Sequence, residues 1–405
     1  MVQLSNTISN IKPSETLSLA ARVAELRAEG KEVLGFTVGE PDFDTPDRIK
    51  EAAVSALKSG RTRYTPVAGI LPLREAICSK VKRDQGLEYK PSEVIVTNGG
   101  KHALAAAFAV LLNPGDEVVL AAPYWTSYPD MVRIAGGEPV IINTDKESGY
   151  LIQPEALRKA CNARTKAIII NSPSNPTGAA YDGNELRALA DVIRSLGNSK
   201  NIAVISDEVY EYITFDGFEH VSFGQCAPDL RSQTLIVNAL SKSYAMTGWR
   251  VGYAVGPEAI IKAMQVHQSQ FTSNVCSIAQ YAAIDGLEMG LEFPREIMCK
   301  AFQRRLDILW RAMQKIPSLE LPLRPRGAFY AFIRIEGVLG KKAGDEIINS
   351  SADFCKYLMD KYAVIVVPGE AFGDSGAFRL SFAVDDETLV KGLDRIAQAV
   401  SSLRS

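Results

Sequence analysis

The chain has 405 residues, 46% of them hydrophobic and 23% charged, and 45 basic against 47 acidic side chains leave a formal net charge of −2. That balance excludes the basic footprint of a nucleic-acid binder and the polybasic patch of a membrane-surface protein. The longest apolar run, residues 103–112, is too short to span a bilayer. What remains is a globular chain with room for about two or three domains at ~150 residues each.

The first residues carry neither a basic nor an apolar signal region, so no secretory leader is expected. Six cysteines (78, 161, 226, 276, 299 and 355) are scattered without a C-x-x-C pair. They read as reduced, mostly buried thiols of a cytoplasmic protein. His102, His220 and His267 lie far apart in sequence, which argues against a histidine metal site and against a Ser-His-Asp triad.

No internal repeat or low-complexity linker interrupts the chain. An arm over residues 8–13 has too few apolar residues to fold alone and is expected to dock on a neighbour or fray. Helical spacing of Leu17, Ala20, Val23, Ala24 and Leu26 predicts a helix over 14–29, ended by Gly30. A strand-like Val33-Leu34-Gly35-Phe36-Thr37 follows. Thr45 as N-cap and Pro46 at the first helical position then open a helix that Gly60 closes.

From about residue 46 to 287 strand-like and helical stretches alternate. The strands fall at 94–97, 117–120, 139–142, 166–170 and 202–205, with a pair flanking Lys242 at 234–238 and 251–256. Their apolar runs lack polar alternation, as strands buried on both faces should. This argues an α/β fold with a mainly parallel sheet between helices. After about 291 the pattern changes to a long helix over 292–315, strands near 328–332, 364–367 and 377–382, a helix near 351–361 and a terminal helix starting at Asp385. That reads as a smaller α+β domain that also takes in residues 33–36 and is therefore discontinuous. The expected division is 1–45 for the arm and part of the small domain, 46–290 for the large domain and 291–405 for the small one.

Chemistry concentrates at the ends of the buried strands, where open α/β sheets bind ligands. Lys242 follows the run Thr234-Leu235-Ile236-Val237-Asn238. A lysine desolvated there favours its neutral amine, a nucleophile suited to Schiff-base formation. Asp207 ends another buried run and needs a cationic partner; taken alone it reads as an N-cap or a structural ion pair. Gly99-Gly100-Lys101 is a glycine turn at a helix N-terminus, an anion cradle that Arg250 could complete. Trp125 could stack on a planar ring or belong to the core. Asn175, held extended before Pro176, could aim its amide at a ligand or mark a turn. Arg379, inside an apolar strand, requires an anion, which a substrate carboxylate or a structural Asp/Glu would supply. An amine nucleophile, an acid, a stacking aromatic, a phosphate cradle and a carboxylate-binding arginine together are the set that pyridoxal phosphate asks for.

The motifs Gly39-Glu40-Pro41-Asp42-Phe43, Asn175-Pro176-Thr177-Gly178, Ser206-Asp207-Glu208-Val209-Tyr210, Ser241-Lys242 and Gly248-Trp249-Arg250 carry a resemblance that spans essentially the whole chain. The sequence resembles the class I, fold-type-I pyridoxal-phosphate-dependent aminotransferases, in particular the bacterial and plastid-type aspartate aminotransferases, some of which also act on prephenate. The resemblance implies a large domain on a seven-stranded, mainly parallel sheet. It implies that Lys242 binds the cofactor covalently and shuttles a proton, and that Asp207 keeps the pyridine nitrogen protonated. Tyr210 and Asn175 would hydrogen-bond the ring oxygen, and Trp125 would stack. Gly100, Lys101, Ser241 and Arg250 would hold the phosphate, with Tyr64 reaching in from the second subunit of a homodimer. Arg379, with Asn175, Trp125 and the backbone of Gly39, would bind the substrate α-carboxylate. The implied reaction is ping-pong transfer of an amino group between amino acids and 2-oxo acids, aspartate and 2-oxoglutarate foremost. Two departures stand out. Ala239 replaces the Ser or Thr that many members carry three residues before the lysine. The stretch Phe271-Thr272-Ser273-Asn274 lacks the arginine that better-known members use for the distal carboxylate, leaving Lys101 and Lys12 as candidate contacts. The same residues would also serve an aromatic or alanine aminotransferase, a β-lyase or, more remotely, a non-catalytic cofactor-binding regulator.

Overall fold

A computed structural model describes residues 2, 5–9, 11 and 13–404. Lys12 lies outside the described residues.

The short strand β1 (Leu34–Gly35) precedes a seven-stranded sheet. That sheet comprises β2 (Val94–Thr97), β3 (Glu117–Ala122), β4 (Glu138–Asn143), β5 (Thr165–Asn171), β6 (Ala203–Asp207), β7 (Thr234–Ala239) and β8 (Gly252–Val255). The order is β2-β8-β7-β6-β5-β3-β4. Every neighbouring pair is parallel except those involving β8, which runs against both β2 and β7. The strands β5 to β8 are buried almost throughout, as their apolar runs require.

The strand β4 departs from that expectation. Only Ile142 of its six residues is buried. It lies at the sheet edge with β3 as its single strand neighbour, so its outer flank meets solvent. The opposite edge, β2, stays buried because the preceding segment covers it, with the Val96 N–H donating to the Ala68 carbonyl at 2.9 Å.

The second sheet unit is smaller. After β9 (Tyr330–Arg334) comes a hairpin of β10 (Lys342–Ala343) and β11 (Glu346–Ile347), then β12 (Val364–Ile365), β13 (Val367–Pro368) and β14 (Ala377–Ser381). The apolar run 364–367, expected as one strand, splits between two sheets. Val364–Ile365 pairs in parallel with Leu34–Gly35, whereas Val367–Pro368 joins the antiparallel order β13-β14-β9. The pairing of β1 with β12 ties residues 34–35 to the C-terminal unit.

Other expectations shift by a residue or change character. The helix Asp47–Lys58 is preceded by Pro46, and Thr45 caps nothing. Its hydroxyl instead donates to the Ala245 carbonyl at 2.7 Å and accepts from Trp249 Nε1 at 3.0 Å, so tertiary bonds have taken it. The stretch 292–315 opens as a π-helix, Glu292–Cys299, before the α-helix Lys300–Met313. Asp385 does cap the terminal helix Asp386–Ser401, accepting from the Thr388 N–H at 2.8 Å. All six cysteines are free; Cys226, Cys299 and Cys355 are buried, Cys78 and Cys161 half-buried and Cys276 exposed. No helix among the described residues is long and apolar enough to cross a membrane.

Candidate active site

Register places the chemistry. Asn171 pairs with Asp207 and Asp207 with Val237, so β5 and β6 end at one level and β7 runs on to Ala239 beside them. The loops leaving them open onto a cavity of about 240 Å³. Gly39 and Thr16 from the N-terminal side, and Tyr330 and Arg379 from the small sheet, close its far wall.

Lys242 sits in the one-turn helix Leu240–Ser243 directly after β7. Its amine donates to the Gly39 carbonyl. Burial at the strand end pushes its pKa down to about 8; the Glu40 carboxylate opposes this, while the Arg250 and Arg379 charges add to it. The side chain keeps some exposure, and that exposure opens into the cavity. With a pKa of about 8, about a tenth of this amine is uncharged and nucleophilic at pH 7.

Asp207, the last residue of β6, is 3% exposed. Burial pushes its pKa up to about 6, against a 2.6 Å hydrogen bond from Tyr128 Oη and a longer one, 3.4 Å, from the Val209 N–H. Among the described residues it forms no ion pair. Tyr210, three residues on, shares a 2.8 Å hydroxyl–hydroxyl bond with Tyr330, and burial raises its pKa well above the usual phenol range.

Arg379 is the most unusual charge in the molecule. It is 1% exposed on β14. Its guanidinium donates to Asn175 Oδ1 at 2.9 Å and to the Thr37 carbonyl at 2.6 Å, and lies 4.5 Å from the centre of the Tyr330 ring. Its Nε has no hydrogen-bond partner, and no carboxylate among the described residues pairs with it. Burial lowers its pKa. Of the two anions that the sequence left open, the structural Asp/Glu is absent from this set.

The anion cradle is built from backbone. Gly99, at φ +81°, turns the chain into the helix Gly100–Leu111. A Cβ on Gly99 would lie 2.6 Å from Arg250 Nη2, and one on Gly252 would lie 2.5 Å from the Gly100 nitrogen. Arg250 itself holds a left-handed backbone, φ +55°, a conformation that costs roughly 1–3 kcal/mol and persists where the surroundings enforce it. It donates to the Thr247 carbonyl at 2.7 Å and has no ion pair among the described residues. Trp125 meets Tyr128 edge to face at 5.3 Å, and the Lys101 ammonium lies 5.0 Å from the Trp125 ring centre. Partial burial, and secondarily Arg250, lowers the Lys101 pKa.

Gly39, Gly100, Lys101, Trp125, Asn175, Asp207, Tyr210, Ser241, Lys242, Arg250 and Arg379 thus line one cavity, as does Ala239. Tyr64 does not; it stands 91% exposed, outside the cavity of its own chain. The sequence reading missed Tyr128 and Tyr330. A buried carboxylate demands a donor and a buried guanidinium a neighbour, but no spacing says which tyrosine supplies either.

The family profile "Aminotransferase class I and II" matches residues 31–396, and the chain belongs to that family of pyridoxal-phosphate-dependent enzymes. The cavity fits that cofactor: a neutralisable amine, a buried acid without a cation, a glycine cradle that a Cβ would fill, and an unpaired arginine beside it. The chain is 47% identical over 397 residues to the aspartate/prephenate aminotransferase of Cereibacter sphaeroides, covering 98% of each. It is 44% identical over 395 residues to the aspartate aminotransferase of Geobacillus stearothermophilus, again 98% of each. The crystal structure of the aspartate aminotransferase from Rhizobium meliloti superposes with a TM-score of 0.95 at 43% identity, covering 100% of both chains.

Proposed function

We propose that the protein transfers the amino group of L-aspartate to 2-oxoglutarate by a ping-pong reaction and that prephenate serves as a further amino acceptor. The observation that carries this is Arg379, a buried guanidinium with no carboxylate of its own, facing the same cavity as Lys242 and Asp207. The names of the similar enzymes support the substrates.

Pyridoxal phosphate supplies an electron sink for the carbon from which a proton leaves. Lys242 holds the cofactor and carries the proton to and from the substrate Cα, a task suited to an amine with pKa about 8. Asp207, steadied by Tyr128, keeps a proton on the ring nitrogen. Tyr210 and Asn175 would hydrogen-bond the ring oxygen, Trp125 would stack on the ring, and the helix N-terminal amides at Gly100 and Lys101, with Ser241 and Arg250, would hold the phosphate. Arg379 grips the α-carboxylate, oriented by Asn175 and by the Thr37 carbonyl, with Gly39 and Trp125 at its flank. Lys101, together with Lys12, offers positive charge to a second carboxylate. Tyr64, exposed in its own chain, completes the phosphate site of the other subunit in a homodimer. The division at 45 and 290 and a cytoplasmic setting for the six free thiols belong to the same reading.

A half-reaction screen tests it. Aspartate, glutamate and prephenate's amino product should each convert the bound cofactor to its amine form. Conversion by aromatic or alanine donors alone would overturn the substrate assignment, and release of ammonia and pyruvate without an acceptor would mark a lyase.

A further inference from the structure

The segment 206–212 that leaves β6 divides its side chains between two faces. Asp207 and Tyr210 line the cavity. Glu208 and Glu211 point the other way, into a sealed polar layer in which Glu208 is 1% and Glu211 4% exposed. Two carboxylates in such surroundings are costly unless paired and bonded. The layer meets that demand with Lys80, itself 2% exposed, from the helix Leu71–Gln85.

The bonds are specific. Lys80 Nζ donates to both oxygens of Glu211, lies 3.5 Å from Asp84 and sits 5.0 Å from the centre of the Tyr212 ring. Asn238 Nδ2 donates to Glu211 at 2.7 Å, while Asn238 Oδ1 accepts from the Ala239 N–H at 2.7 Å. Asn238 is in β7, four residues before Lys242. Gln85 donates to Glu208 at 2.7 Å, joined by Ser206 at 2.8 Å and Ser222 at 2.6 Å, with His220 at 3.4 Å. Burial alone would raise the Glu208 pKa; His220, Ser222 and Ser206 outweigh it and lower it. Glu208, Glu211 and His220 also lie close enough together to suggest a metal site, but their carboxylate oxygens are already engaged by Lys80, Gln85, Asn238 and the two serines.

We infer that the Lys80–Glu211 pair, with Asn238, is a positioning device for the cofactor: one buried cation fixes from beneath both the turn that carries Asp207 and Tyr210 and the strand that delivers Lys242. The inference rests on the aminotransferase reading above. None of these three residues touches the cavity, so each acts through another. An ion pair is suited to this because an apolar pair of the same volume would fill the space without dictating the orientation of the turn.

The test compares parent protein with the neutral pair Lys80→Met/Glu211→Gln and with Asn238→Ala, which leaves the ion pair intact should the neutral pair fail to fold. Three quantities are measured: melting of the cofactor-free form, the dissociation constant of pyridoxal phosphate, and the pH midpoint of the bound cofactor's visible absorption band. The variants should bind the cofactor about tenfold more weakly, the lower end of what partners one layer behind a bound group carry, and their band midpoint should move. A fall in melting temperature with cofactor affinity and midpoint unchanged would make the pair merely structural and overturn the inference alone. Parent protein that takes up no pyridoxal phosphate would overturn the aminotransferase reading and this inference with it.

Discussion

Asp207→Asn should make the cofactor-free protein more stable and the enzyme nearly inactive. In the fold the Asp207 carboxyl is pushed from its ordinary 3.8 to about 6, chiefly by burial. A raised carboxyl pKa means that the native state prefers the protonated form, so the native state binds more protons than the unfolded chain between about 3.8 and 6. By linkage, stability then falls as pH rises through that window, and the full cost is present above it. Two decades of proton affinity correspond to about 3 kcal/mol at neutral pH. Asparagine carries no charge to bury and can still accept the Tyr128 hydroxyl bond, so the variant should recover about 2–3 kcal/mol at pH 8 and almost none at pH 4. Urea denaturation of the cofactor-free protein at pH 4, 5, 6, 7 and 8 reads this directly. Turnover should fall by about 10²–10⁴, the scale of losing a positioned acid. A variant no more stable than parent at pH 8, or one with the same gain at pH 4 as at pH 8, would refute the reasoning.

Three further outcomes follow from the same site. Arg379→Lys keeps the charge but loses the fork; forfeiting one charge-assisted hydrogen bond of about 2 kcal/mol should raise the KM for aspartate, and the Kd for a dicarboxylate inhibitor, about 30-fold, and a change in kcat alone would count against a substrate-binding role. Lys242→Ala should abolish borohydride labelling of the protein by pyridoxal phosphate. Because the folded-state pKa of Lys242 is lowered to about 8, parent stability in the cofactor-free form should climb from pH 8 towards 10.5, and the variant's profile over that range should be flatter. Gly99→Ala puts a Cβ 2.6 Å from Arg250 Nη2 at a backbone φ of +81°, so phosphate affinity should fall about tenfold, at ~1.4 kcal/mol, as measured by equilibrium dialysis of pyridoxal phosphate.

The seven strands were legible because both-face burial leaves a plain mark: unbroken valine and isoleucine runs such as Ala167 to Ile170 and Leu235 to Val237. Their carboxyl ends then named Asp207 and Lys242 before any geometry was known. An edge strand can write the same mark without the burial. Pro139 to Ile142 reads as apolar as its neighbours, and only the sheet order shows that it lies at an edge open to solvent. Caps fail for a different reason, since Thr45 had a cap's chemistry but found stronger partners some 200 residues away in Ala245 and Trp249. Separation along the chain also hides Tyr330 from Arg379, and Lys80 from Glu211, 131 positions apart. Side-chain pairing across elements is set by packing, which local periodicity does not encode.

Two kinds of buried charge coexist a few residues apart, and the contrast separates structure from chemistry. Lys80 and Glu211 neutralise each other and leave no donor or acceptor facing the cavity. Burial shifts Lys242, Asp207 and Arg379 each toward its neutral form, and each faces the cavity without a paired opposite charge. A fold gains nothing from such groups by itself, because every one of them costs stability. They become favourable when a ligand brings the missing complements: a carbonyl carbon for the amine, a protonated nitrogen for the acid, and a carboxylate for the guanidinium. The set of complements is the description of a substrate and its cofactor, written in the charges that the protein leaves unmet.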